Sequence, residues 1–352
     1  MRLQQKSFFT AAMPPALVVP PLNTLPHHTN TPHTMRSQNA QHRLLTLNVE
    51  HLGLKLISGD WQALRHASTI TQWCNANKIN LANTQETTPN VVRCFQKAGY
   101  KALDADHLQP RFSFRWRGLA SYFDPADYTT HTQFSPQFAP YSQANQKSWQ
   151  QVRDAATTLL GYLLRCPQSN QIQQKTIDFI CSLSGVLRQD GLLITPLKST
   201  TSNDDIVLCN THLESFDVKI RDQQTQEMIT KINVLRVQHP QATFFVSGDF
   251  NRPAVSCEYQ RQFHEGLNDI MARSFNAKTI PDHCIVPTHH DGHCIDGIYV
   301  IDTLTTVAAH AKTTLNREQN TKDKAITGAV CNINDPYNHA PVSDHNGVTL
   351  SM

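Results

Sequence analysis

The sequence predicts an α/β protein built on buried sheets, and three observations carry that expectation. Short apolar runs of strand length recur along the chain and alternate with stretches of helical spacing. A hydrophobic fraction of 39% over 352 residues supports a large core, and a charged fraction of 17% is unlike that of a disordered chain. No run of 18 apolar residues occurs, so no transmembrane segment is expected. The formal net charge of +3 also argues against a protein that wraps nucleic acid by charge alone.

Residues 1–43 stand apart. They hold six prolines, repeated Thr, Asn and His, and no acidic residue. Such a stretch buries too little apolar surface to offset its ordering entropy, and a disordered tail is expected. A targeting segment is the alternative. The acid-free composition fits a transit peptide, while Pro14, Pro15, Pro20 and Pro21 break the apolar run a secretory signal would need. The globular domain is expected to run from 44 to 352.

Within it, Leu44 to Val49 reads as a strand and Trp61 to Asn77 as a helix with Trp61, Leu64, Ser68 and Trp73 on one side. Ile79 to Gln85 is a strand, and Val91 to Ala98 a helix ended by Gly99. Gly118 to Phe123 is a strand closed by Asp124-Pro125. Further strands are read at 206–210, 243–246, 295–300 and 347–350, with a helix at 222–237. One stretch breaks the alternation. Val152, Ala155, Ala156, Leu159, Leu160 and Leu163 follow helical spacing up to Cys166-Pro167, and a second apolar stripe runs from Ile172 to Leu187. Together they predict a helical hairpin inserted at 144–187, with an apolar surface open to a protein partner. Nine cysteines, odd in number and widely spaced, read as those of a reduced, intracellular and cytoplasmic protein.

The candidate chemistry gathers at strand ends. The clusters are Leu47-Asn48-Val49-Glu50, Thr84-Gln85-Glu86, Asn210-Thr211-His212-Leu213, Ser247-Gly248-Asp249-Phe250-Asn251, Ile295-Asp296-Gly297-Ile298 and Ser343-Asp344-His345. Residues two apart on a strand share a face, so Asn48 pairs with Glu50 and Asp249 with Asn251. A pocket holding Glu50, Glu86, Asp249, Asp296 and Asp344 would repel itself without a cation. Oxygen ligands suit Mg²⁺ or Mn²⁺. Carboxylates, histidines and such an ion are the equipment of phosphodiester hydrolysis.

The ordered set N-x-E, Q-E, N-T-H-L, G-D-F-N, I-D-x-I and S-D-H resembles the endonuclease/exonuclease/phosphatase superfamily, over about Leu44 to Leu350 apart from the helical insertion. The resemblance implies a four-layer α/β/β/α sandwich of two mixed sheets with one metal-dependent site at their shared edge. It implies Glu86 as the main metal carboxylate, with Asn48, Glu50 and Asp344 on the metal side. It implies Asp249 as the residue that orients or deprotonates the attacking water and Asn251 as its neighbour on the phosphate. His345 would sit beside the scissile phosphate with Asp296 as its carboxylate partner, and His212 would contact phosphate. Departures from the family pattern are Leu81-Ala82-Asn83-Thr84 before Glu86, Gly297 where an aromatic is common, and Glu50, longer than the aspartate of some members.

Within the superfamily, Asn210 to Ser215 followed by Arg221 and Gln224 is most similar to the 5′-tyrosyl-DNA phosphodiesterase branch. A nucleic-acid substrate is therefore expected, with Arg115 and Arg117 of an Arg-aromatic run and Arg221 as substrate-binding candidates. The alternatives are a phospholipid or inositol-phosphate hydrolase of the same superfamily, or a binding protein acting through the helical insertion. Cys284, His289, His290, His293 and Cys294 do not match a common zinc module, and a loop before the Asp296 strand is the favoured reading. A monomer is expected.

Overall fold

In a computed structural model of the chain, the described residues are 42–49, 60–104, 118–142, 146–164, 191–215, 217–255, 257–259, 262–275, 278–279, 288–289, 294–303, 327–331, 333–334, 343 and 345–352. The expected tail, the whole of the second insertion helix, and Glu50, Asp344, Arg115, Arg117, Cys284, His290 and His293 lie outside them.

The first sheet grows from strand β1 (Arg43–Asn48), which pairs in parallel with β2 (Leu81–Thr87), Leu44 opposite Leu81 and Asn48 opposite Gln85. A parallel pair needs a crossover, and helix α1 (Asp60–Ala76) supplies it. Helix α2 (Pro89–Lys97) follows, with Pro89 in its first turn where a missing N–H costs nothing. Its end matches the sequence reading, because Gly99 takes φ 97°, a conformation few other residues tolerate. Strands β3 (Lys101–Asp104) and β4 (Gly118–Phe123) complete one side by antiparallel pairing onto β2. On the other side β15 (Gly347–Ser351) lies between β1 and β14 (Thr327–Cys331), so the order is β14-β15-β1-β2-β4-β3.

The second sheet has the same kind of centre. Strands β8 (Asp205–His212) and β9 (Thr243–Asp249) run parallel across helix α4 (Val218–Gln238), which follows α3 (Gln146–Leu164) in the chain. The side chain of Asp217 caps α4, accepting from the N–H groups of Lys219 and Ile220. Strand β7 (Gly191–Ser199) pairs antiparallel with β8, and β5 (Tyr128–Thr130) and β6 (Gln137–Pro140) both pair with β7. Beyond β9 come β13 (Asp296–Ile301) and β12 (Lys278–Thr279), the latter preceded by the small ribbon β10 (Cys257–Tyr259) and β11 (Gln262–His264) and helix α5 (Leu267–Phe275).

Strand alternation sorts the apolar residues into layers. Leu44, Leu81, Phe123, Leu208, Phe245, Ile298 and Val300 form a core between the sheets. Leu45, Leu47, Ala82 and Tyr122 point the other way, onto Ala67, Ile70 and Cys74 of α1 and Val91, Val92 and Phe95 of α2. Cys209, Phe244, Val246 and Ile301 face Met228, Ile232 and Leu235 of α4 and Ile270 and Met271 of α5. Two mixed sheets covered by helices on their outer faces make an α/β sandwich, the expected architecture.

Two expectations from helical spacing change. The buried face of α1 is His66, Ala67, Ile70, Thr71 and Cys74, while Ser68 and Trp73 are half-buried. Trp73 still packs against this layer, and the side chains of Trp61 and Leu64 lie outside the described residues. The first insertion helix forms as α3, but its Leu160 and Leu163 are 57% and 50% exposed, so these two members of the stripe are not absorbed by packing.

The inter-sheet core yields a stability prediction. Phe245 is fully buried, and Phe245→Ala is expected to cost about 3–5 kcal/mol. Val237 on the outer face of α4 is 74% exposed, and Val237→Ala should stay within about 0.5 kcal/mol of the parent. Urea unfolding followed by far-UV circular dichroism measures both.

Candidate active site

Along each central strand the residues facing the opposite sheet change from apolar to polar. On β1 they run Leu44, Thr46, Asn48; on β2, Leu81, Asn83, Gln85; on β8, Leu208, Asn210, His212; on β9, Phe245, Ser247, Asp249. Strand β13 runs the opposite way and shows the same trend reversed, from Val300 through Ile298 to Asp296. All five rows therefore become polar at one end of the sandwich.

Hydrogen bonds join the two sheets through these rows. Asn83 Nδ2 donates to Ser247 Oγ at 2.7 Å. Gln85 Nε2 donates to Asn210 Oδ1 at 2.7 Å and to Thr46 Oγ1 at 3.1 Å. Asn210 Nδ2 in turn donates to the carbonyls of Thr84 and Ala120. Asn48 Nδ2 reaches Asp249 Oδ2 at 2.9 Å. The last pair brings two of the predicted site residues together across 201 positions of sequence.

Asp249 is the hub. Its Oδ2 lies 3.4 Å from His212 Nε2 and 3.8 Å from His345 Nε2, and its Oδ1 accepts from the backbone N–H of Asn251 at 2.9 Å. His345 Nδ1 is 2.9 Å from Asp296 Oδ2, and the carboxylate assigns that nitrogen the proton and leaves Nε2 toward Asp249. Glu86 Oε1 is 3.9 Å from His212 Nε2. Glu86, Asp249, Asp296, His212 and His345 are each at most 5% exposed. Burial pushes the Asp249 carboxyl up, but His212, His345 and the Asn48 amide outweigh it and hold the group well below the ordinary carboxylate range. Asp296 goes the other way. Burial raises it, His345 only partly offsets this, and the neighbouring Asp249 charge adds to the rise.

Local backbone explains why the sequence folds this way here. Strands β8 and β9 approach so closely at Gly248 that a Cβ there would sit 1.9 Å from the Thr211 carbonyl oxygen, and the residue has φ 153°. Glycine before Asp249 is thus a steric requirement. Asn251, two residues on, takes φ 47°, and its Nδ2 donates to the carbonyl of Leu213 at 2.9 Å, which ties the turn to the residue after His212.

Seven of the predicted site residues therefore meet: Asn48, Glu86, His212, Asp249, Asn251, Asp296 and His345. Arg221 does not point into the cluster. It is buried under the loop after His212, with its Nη1 donating to the carbonyls of Glu214 and Ser215. Glu50, Asp344, Arg115 and Arg117 are outside the described residues.

Two contributors carried no role in the sequence reading. Ser343 Oγ donates to the Asn48 carbonyl at 2.6 Å and accepts the His345 N–H at 3.1 Å. Thr288 Oγ1 accepts the N–H groups of Ile295 and Asp296, at 3.0 and 3.1 Å, while its carbonyl accepts from Asn346 at 2.7 Å. Thr288 therefore clamps the Asp296 strand to the His345 segment. Its neighbour His289 bridges to His345 and lies edge-on to it with ring centroids 4.7 Å apart. Ser343 belongs to the Ser343-Asp344-His345 motif, and near Thr288 the sequence showed a cluster of His and Cys with zinc-type ligands.

The donor set fits a hard cation. Asp249, Asp296 and His345 each offer a ligand atom, all within 4.8 Å of one another. Asp296 Oδ1 is buried without a hydrogen-bond partner among the described residues. Two carboxylates and one imidazole make up this set, and no thiol takes part, so a divalent ion could be held there.

No protein-family profile matches the sequence, and no curated protein matches it. Solved structures do. An endonuclease/exonuclease/phosphatase family protein from Bacteroides thetaiotaomicron superposes over 88% of this chain and 97% of its own, with a TM-score of 0.57 at 13% identity. Truncated TDP2 from Caenorhabditis elegans covers 89% of this chain and 97% of its own, with a TM-score of 0.53 at 12% identity. D. rerio TDP2 complexed with single-strand DNA product covers 89% and 99%, with a TM-score of 0.50 at 12% identity. At such identities the likeness is one of architecture, and the architecture is specific: this chain has the α/β sandwich fold of the endonuclease/exonuclease/phosphatase superfamily.

Proposed function

We propose that this protein is a metal-dependent phosphodiester hydrolase acting on nucleic acid. The observation that carries the reading is the buried lattice Asn48–Asp249–His345–Asp296, with His212 and Glu86 beside it. Its carboxylates are too many and too buried to be stable without a counter-charge that two histidines do not fully supply. A binding module has no use for such a cluster, which argues against the alternative that the fold serves only as a scaffold for its insertion.

Each residue has work suited to its surroundings. Asp249, held ionised by the imidazoles and the Asn48 amide, orients the attacking water by accepting a hydrogen bond from it at a carboxylate oxygen. Asn251, fixed through Leu213, keeps a second amide proton for that water or for a phosphoryl oxygen. His345 keeps its Nε2 directed into the pocket because Asp296 holds Nδ1, and from there it faces the charge that builds on phosphorus. His212 contributes a second donor from the opposite side of Asp249. Glu86 and Asn48, with Glu50 and Asp344, are the residues proposed to hold Mg²⁺ or Mn²⁺; the ion when bound supplies positive charge to the phosphoryl oxygens.

The substrate class rests on two supports. D. rerio TDP2, with the same fold, was crystallised with a single-strand DNA product. The sequence of this chain carries arginines interleaved with aromatics around Arg115 and Arg117, suited to a strand with charged phosphates and stacking bases. Phospholipids and inositol phosphates are the competing substrates.

Three outcomes follow. Excess EDTA should abolish hydrolysis of a generic nitrophenyl phosphodiester and added Mg²⁺ or Mn²⁺ restore it; undiminished turnover in chelator would refute metal dependence. In a panel of single- and double-stranded DNA, RNA, 5′-tyrosyl-DNA, sphingomyelin and inositol phosphates, a nucleic acid should give the highest kcat/KM, and a lipid or inositol preference would transfer the assignment to the competing class. Asp296→Asn and His345→Ala should each lower kcat by about 10²–10⁴-fold, with the double variant little worse than either, as expected of groups that act as a unit. Additive losses in that kinetic cycle would show that the pair is uncoupled.

A further inference from the structure

Glu86 reaches the site only because strand β2 contains one residue too many. On β2 the inward and outward positions alternate: Leu81, Asn83 and Gln85 face the other sheet, whereas Ala82 and Thr84 face the helices. Continued alternation would send Glu86 outward, among Val91, Phe95 and Tyr122, where a carboxylate has no compensating charge. Its carboxylate instead lies 3.9 Å from His212 of the opposite sheet. The pairing with β4 shows how. Thr84 is opposite Ala120 and Thr87 is opposite Gly118, so Gln85 and Glu86 together stand against the single residue Leu119. This is a bulge, and its second residue, Glu86, takes φ 54°, a left-handed conformation unfavourable for a side chain with a Cβ.

Something must hold that conformation, and the outer face of the bulge supplies a candidate. Thr84 and Thr87 flank the two bulged residues, and their hydroxyls are hydrogen-bonded to each other across it. Thr84 Oγ1 also donates to Tyr122 Oη at 3.2 Å, which leaves Thr87 as the donor to Thr84. All three side chains are buried, at 0% exposure for Thr84 and Tyr122 and 6% for Thr87. The Tyr122 ring is itself fixed by stacking on Phe95, with centroids 3.8 Å apart.

We infer that the hydroxyl cluster of Thr84, Thr87 and Tyr122 is a positioning device that staples the bulge and turns Glu86 into the site. The staple joins residues i and i+3, and so draws the strand together over the two residues between them. With that separation closed, the intervening backbone has room only in a bulged path, and the left-handed turn at Glu86 takes up the slack. None of the three residues touches the reacting atoms; their effect passes through the direction of one carboxylate. The consequence for cation binding rests on the proposed metal-dependent reading, while the consequence for the backbone does not.

Thr87→Val tests both, because valine keeps the shape and branching of threonine and deletes only the hydroxyl. Two measurements are made on the full chain: Mn²⁺ binding by titration calorimetry without substrate, and a crystal structure of the variant. The expected result is Mn²⁺ affinity weakened by about 10-fold or more, as for loss of groups that orient a ligand, with Glu86 returned to extended backbone and its carboxylate turned from His212. Thr87→Ser, which keeps the hydroxyl, should restore both. Wild-type Mn²⁺ affinity together with an unchanged Glu86 in Thr87→Val would overturn the inference. If the wild-type protein itself binds no Mn²⁺, the metal reading of the site fails, and the position of Glu86 in the variant crystal still decides whether the staple holds the bulge. Should Thr87→Val not fold, Tyr122→Phe carries the same two measurements, since it removes one hydroxyl of the cluster and keeps the stacked ring.

Discussion

The pairing of Asp249 with two imidazoles and an amide, away from water, is the interaction around which the molecule is arranged. An isolated carboxylate at that depth would be protonated or would draw water into the core. Here it stays ionised because His212 comes from the neighbouring parallel strand, His345 from the segment ahead of β15, and Asn48 from the opposite sheet. No one of these elements is near another in sequence. The sandwich holds them in place through an apolar core at one end, and the polar rows that link the sheets carry that rigidity to the other end. The site is thus the continuation of the core by other chemistry, not a cavity cut into it.

Much of this was legible in the sequence for a simple reason. The residues that meet are short motifs at strand ends, and a period of two places alternate members on one face; Asn48 and Asp249 could be expected to face inward before any distance was known. The inter-sheet apolar positions were equally readable, since Leu44, Leu81 and Phe245 sit in runs with no competing period. Strand β7 was missed although it is fully buried along most of its length, because it follows the insertion and carries Pro196. Strands β3, β5 and β6 are short edge pieces whose pairing partners, not their own composition, make them strands.

The site residues that went unassigned share another property. Thr288 and Ser343 act through backbone groups, accepting and donating where two segments cross, and nothing in their identity distinguishes them from threonines and serines of any turn. Arg221 shows the converse case. A positive charge four residues into a helix near a phosphate site suggests a substrate contact, yet its guanidinium supports the carbonyls of the loop beneath. Charge is visible in a sequence, but whether a charged group is used on a ligand or on the chain itself depends on directions that only the fold sets.

The placement of β15 bears on how the molecule comes into being. This strand lies between β14 and β1, and on the β1 side it pairs with residues some three hundred positions earlier. Contacts of such sequence separation close late, after the loop entropy of the intervening chain has been overcome. Until they close, the first sheet lacks an inner strand, and the segment bearing Ser343 and His345 has no frame to hold it against Asn48 and Asp296. A chain that has not closed this pairing therefore carries most of its candidate site residues without the frame that brings them together.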